Sequence, residues 1–100
     1  MQAGKQLFDA IYARLFEQDR LVELGLMMNA PALTYRGRAF AFLTKDDRMV
    51  FRLEDYRPEP DSVRMQPTAL AGWFAVSPYE SHHWESLVWK SLELVRDHLG

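Results

Sequence analysis

The chain has 100 residues and a mass of 11.7 kDa, the size of one domain. Twelve Lys+Arg against fourteen Asp+Glu leave a formal charge of −2, which excludes a polycation holding nucleic acid by charge alone and equally a disordered acidic tail. Hydrophobic residues at 48% supply a core, and the lack of cysteine excludes a disulfide framework, a thiolate zinc site and a cysteine nucleophile.

No window reaches the ~18 apolar residues of a membrane span, and no basic stretch leads into an apolar run at the N-terminus. The expectation is a cytoplasmic chain with no membrane partner. Over residues 5–19, Leu7, Phe8, Ile11 and Leu15 share one helical arc with Tyr12 at its rim, while Lys5, Asp9, Arg14 and Glu17 fall outside it. That spacing predicts a one-sided helix needing a partner layer. Leu21–Leu24 either extends it or belongs to the connection that follows.

From Met27 to Leu53 the period shortens to that of strands. Met27-Met28 and Ala32–Tyr35 read as extended pieces, with Pro31 restricting the first to a sheet edge or a bend. Arg36-Gly37 is a hairpin signal. Arg38–Thr44 then predicts a strand with Phe40 and Phe42 on one face and Ala39, Ala41 and Leu43 on the other. Lys45–Arg48 is a polar turn. Met49–Leu53 is the next strand, with Met49, Phe51 and Leu53 sharing a face. Short connections imply antiparallel neighbours.

Residues 54–68 hold three of the five prolines and alternate in charge. They predict a long surface loop, with or without a short helical turn, a candidate functional segment with room beneath it for a small ligand. Trp73–Val76 reads as a last strand. Ser77 then caps a helix over residues 78–98, with Pro78 at its first position and Glu80 returning the capping bond. Its buried stripe is Trp84, Val88, Ser91, Leu92, Val95 and Leu99, flanked by Leu87 and Leu94. The fold class that follows is α+β: a two-layer sandwich of about four strands in an antiparallel meander, with the terminal helices packed on one face. Residues 1–100 form one domain.

Chemistry-bearing residues are few. Glu80, His82, His83 and Glu85 concentrate metal-ligand types, yet adjacent histidines diverge by about 100° on a helix and a structural zinc needs four ligands. A polar first helical turn explains them as well. No nucleophile elbow, phosphate loop or dinucleotide motif is present, and Asp46-Asp47 sits in a turn where aspartate is common. No catalytic residue, metal or cofactor is expected. The string Arg36-Gly37-Arg38-Ala39-Phe40-Ala41-Phe42-Leu43 partly echoes an RNA-recognition strand. Arg36, Arg38, Arg48 and Arg52 are therefore the candidate nucleic-acid contacts, although residues 36–64 carry seven basic and six acidic side chains. Trp89, placed off the buried stripe near Glu85 and Arg96, is the candidate centre of a protein interface. A flat packing of Trp89 on the 54–68 loop, or a cation–π contact with Arg96, is the structural alternative.

The run Met27-Met28, Pro31-Ala32-Leu33, Gly37, Ala39-Phe40-Ala41, then Met49-Val50-Phe51-Arg52-Leu53, Gly72-Trp73-Phe74-Ala75-Val76 and Trp84 with Leu87 resembles the N-terminal domain of the TfoX/Sxy family. That family is itself distantly similar to YjbR-like proteins. The chain departs from its pattern at Met28-Asn29-Ala30, where Met-Phe-Gly is common, and at Arg52, where a lysine is usual. The resemblance implies a compact α+β domain of bacterial origin. It also implies a link to transcriptional regulation, because full-length members regulate competence genes together with the cyclic-AMP receptor protein and carry a second domain that is not expected here. The functional expectation is a non-enzymatic domain working through a protein partner or as a homodimer. Nucleic-acid binding through the arginines and a small-ligand pocket are the alternatives.

Overall fold

Strand and turn signals resolve into six strands rather than four. The computed structural model describes residues 3–59 and 62–99, the side chain of Leu99 excepted. In chain order the elements are α1 (Ala3–Gln18), β1 (Val22–Met27), β2 (Ala30–Tyr35), β3 (Arg38–Leu43), β4 (Met49–Arg52), β5 (Met65–Pro67) and β6 (Trp73–Val76). A 3-10 helix (Pro78–His83) and α2 (Trp84–Leu99) follow. The strands form one antiparallel sheet in the order β1-β2-β3-β4-β6-β5. The meander therefore holds through β4, after which the chain crosses to the far edge and returns through β6.

Both helices lie on one face of the sheet, over β1 to β4. Phe8, Ile11 and Leu15 of α1 and Trp84, Leu87, Val88, Leu92 and Val95 of α2 bury against Val22, Leu33, Phe40, Ala41, Met49, Phe51 and Val76. The expected stripes are therefore buried where periodicity placed them, while the side chain of Leu99 lies outside the described residues. β6 and β5 lie beyond the strands that the helices mainly contact, although Val76 of β6 still buries against the helix-side core. The 54–68 segment closes that side instead: Tyr56, Val63 and Met65 pack against the same core. The Lys90 ammonium lies 4.6 Å from the Tyr56 ring and the Arg57 guanidinium 4.0 Å from the Phe74 ring. The segment expected to be a surface loop thus contains the strand β5 and lids a core.

Two further expectations are corrected. Leu33 pairs with Ala41 and Thr34 with Ala39, so Phe40 is an extra residue in a β-bulge. Phe40 consequently joins Ala41 and Leu43 on the helix side, whereas Phe42 faces away with Ala32, Val50 and Ala75. At the last helix Ser77 Oγ does accept a hydrogen bond, from the Tyr79 N–H at 3.0 Å. Glu80 leaves helical geometry (φ −117°, ψ 29°), and its carboxylate accepts the Arg64 N–H, 3.0 Å to the nearer oxygen, instead of returning to Ser77. A 3-10 turn therefore precedes α2 where a capping box was expected.

Candidate functional site

β1 is an edge strand, and its shape follows from the turn that ends it. Met28 and Asn29 take left-handed backbone angles (φ 52° and 66°) between the paired residues Met27 and Ala30. This is a two-residue hairpin whose backbone twist matches the strands. As expected, the Met27-Met28 piece lies at a sheet edge and its bend, while Pro31 itself sits inside β2, one residue before the β2–β3 ladder begins at Ala32. No bond to β3 calls on the N–H that proline lacks.

Val22, Leu24 and Leu26 alternate onto the helix side of the sheet. Val22 is buried there, but Leu24 and Leu26 are 54% and 72% exposed. Leu21 just before the strand is 45% exposed and Met28 in the turn 68%. Among the described residues, four of the five large hydrophobics exposed to water fall in this eight-residue stretch, the fifth being Tyr79. The sequence reading missed this site. Its signal was the alternation Val22-Glu23-Leu24-Gly25-Leu26, obscured by the helix-like spacing of Leu21 and Leu24.

The residues expected at a protein interface are engaged within the molecule. Trp89 is half-buried and packs against the helix-side core, and its indole N–H donates to Glu85 Oε2 at 3.5 Å. Glu85 is gripped by Arg14 of α1, with Nε 2.9 Å from each carboxylate oxygen and Nη2 2.6 Å from Oε1. The hydrogen bond from Arg14 outweighs partial burial and holds the Glu85 carboxyl below its ordinary pKa, with the Trp89 bond adding to it. Arg96 Nη1 reaches Asp19 Oδ2 at 3.1 Å, at the far end of the same helix pair. Glu85, Trp89 and Arg96 therefore line the seam between α1 and α2.

The four arginines do not converge. Arg36 and Gly37 form the β2–β3 turn, and Arg38 pairs across it with Tyr35. Arg48 and Arg52 flank Val50 on the face opposite the helices, at the two ends of β4. Each has a carboxylate: Arg48 Nε lies 3.0 Å from Asp46 and Arg52 Nε 2.7 Å from Glu54. The Asp46 carboxyl is held below its ordinary value chiefly by the Thr44 hydroxyl and secondarily by Arg48.

The face opposite the helices carries one cross-strand row, Gly25-Ala32-Phe42-Val50-Ala75-Gln66. Phe42 is covered by Trp73, ring centroids 5.6 Å apart. Small residues and this aromatic pair make the middle of that surface, with Arg48 and Arg52 at its margins. The His82 and His83 rings lie 4.2 Å apart, tilted by 42° to one another. Among the described residues no three His, Asp or Glu side chains gather as a metal-binding group. Surface hollows lie at the β1–β2 turn beside Lys5, Phe42 and Lys45, and beside Arg64, Gln66 and Glu80 at the end of the 54–68 segment. No described helix is long and apolar enough to cross a membrane. No family model, curated protein or solved structure matches the chain.

Proposed function

We propose that this chain is a non-catalytic protein-binding domain that docks through the edge of β1. One observation carries the reading: Leu24 and Leu26 share an exposed face on a strand with one free edge, with Leu21 and Met28 at its ends. A lone exposed leucine is ordinary, but a cluster on a free edge marks an interaction surface. The edge also offers unpaired backbone donors and acceptors, the groups used when a strand adds to a sheet. The resemblance to the TfoX/Sxy N-terminal domain supports a binding role in bacterial transcriptional regulation, in the cytoplasm. The carboxylates already paired with Arg48 and Arg52 favour protein over nucleic acid as the ligand.

A photo-reactive residue placed at Leu26 should give a covalent adduct with a protein in living cells. The same residue placed at Tyr79, which is 93% exposed but isolated, should give none. No adduct from Leu26 would overturn the reading.

A further inference from the structure

We propose that the occupant of this edge is a second copy of the chain, its β1 paired antiparallel to the first about a two-fold axis at Gly25, so that the two sheets become one. This rests on the reading of β1 as a docking edge.

The two edges of the sheet are unequal. β5 is three residues long and ends in Pro67, with Arg64 just before it. Shortness, proline and charge are the devices that blunt an edge. β1 is six residues long, pairs with β2 without a register shift, and contains no lysine, arginine or proline; its one charge, Glu23, lies on the face opposite Leu24 and Leu26. A sheet with one adhesive edge closes as a pair, whereas two would let it polymerise. An isologous contact through β1 alone is thus the arrangement that the fold permits.

The backbone fits. In a two-residue hairpin the flanking residues, Met27 and Ala30, exchange hydrogen bonds. Alternation then makes Leu26–Pro31 and Leu24–Leu33 pairs that do not, in keeping with the N–H that Pro31 lacks. The N–H and C=O groups of Leu24 and Leu26 therefore point outward, toward an added strand.

The side chains fit as well. A two-fold axis normal to the sheet keeps the helix side on one side, so each pair must join residues of the same face. Centred on Gly25, it sets Leu24 against Leu26 of the second copy and Leu26 against its Leu24, making a four-leucine cluster beside α1. It brings the two glycines, which have no side chains, together at the axis. It sets Glu23 opposite Met27 of the second copy, and Met27 borders a hollow lined also by Lys45, Asp47 and Lys5, the last already paired with Asp9. Neither Glu23 nor Lys45 takes part in an ion pair among the described residues. The alternative axis at Leu24 would instead put the two Glu23 side chains on one diagonal, where like charges repel. Charge therefore selects the Gly25 register.

The patch is small against a standard interface, so dissociation in the micromolar range is expected. Sedimentation of the full chain from micromolar to about 1 mM should show a reversible dimer of twice 11.7 kDa. Leu26→Glu should weaken it at least tenfold without altering the circular dichroism, since this side chain is largely in water. Glu23→Lys should weaken it too, and adding Lys45→Glu should restore it. A monomer at about 1 mM, or a dimer indifferent to Leu26→Glu, overturns the proposal. Failure of the double charge reversal overturns the Gly25 register. A Leu26 photo-adduct with a different protein in place of the chain itself overturns the second copy while leaving the docking edge standing. No adduct at all removes both.

Discussion

Arg14 of α1 and Glu85 at the start of α2 form a forked ion pair between residues 71 positions apart, closing to 2.6 Å at its shortest. The pair fixes the two helices side by side and, through Glu85, positions the Trp89 indole. Because Arg14 lowers the pKa of Glu85, the stabilisation is fully present above the unfolded value, about 4.3, and is lost as pH falls through the lower folded value. Glu85→Gln should therefore destabilise the protein near neutral pH, by no more than about 1 kcal/mol because water screens the pair. Urea melts of both proteins should converge as the pH is taken well below that unfolded value. A gap that persists in acid would mean that Glu85 acts through packing rather than charge.

Phe40 and Phe42, two residues apart, lie on opposite faces because the bulge inserts Phe40. Phe40→Ala opens the helix-side core and should cost about 3–5 kcal/mol. Phe42→Ala should cost less, about 2 kcal/mol, since only Trp73 and neighbouring side chains cover it. Phe42→Ala should also change the fluorescence of Trp73. Equal costs with unchanged emission would place both rings on one side.

Those two residues also show where sequence reading stops. The stripes of α1 and α2 were legible because a helix facing a sheet repeats its apolar residues at 3.6, and Trp84, Val88, Leu92 and Val95 do so without interruption. Strict alternation put Phe40 and Phe42 together, and nothing local announces the bulge that separates them. β5 was hidden in a proline-rich run because three residues pairing on one side leave almost no pattern. Trp89 lies off the buried stripe of α2, and helical spacing alone leaves a partner surface and an internal contact equally open; in the fold Glu85, gripped by Arg14 of α1, meets it. The candidate site was least legible. Its leucines are those that the fold leaves uncovered, and the sequence does not say where a helix ends its cover.

Ser91 is fully buried on the core side of α2, and its Oγ has no hydrogen-bond partner among the described residues. An unpaired buried hydroxyl is unfavourable, and alanine is the better helix former. Ser91→Ala should raise the stability by about 1 kcal/mol and the melting temperature by about 5 °C. A fall in melting temperature would point to a buried water held by that hydroxyl.

Gly72 and Gly37 share a left-handed backbone, φ 83° and 82°, but not their surroundings. At Gly37 a Cβ would meet nothing within 4 Å among the described residues, so Gly37→Ala should cost only the left-handed conformation, about 1–2 kcal/mol. Gly72 faces Glu54, itself left-handed, and its carbonyl accepts the N–H groups of both Leu53 and Glu54 at 2.9 and 3.0 Å. A Cβ there would come within 2.6 Å of Glu54 Oε2 and 3.3 Å of Glu54 Cα. The carboxylate can swing aside, at the expense of its bond to Arg52, but the Cα cannot. Gly72→Ala should therefore destabilise more than Gly37→Ala in paired thermal melts. Shortening the side chain with Glu54→Ala should recover only part of that excess, because the contact with the backbone remains. Full recovery would mean that the carboxylate alone is in the way.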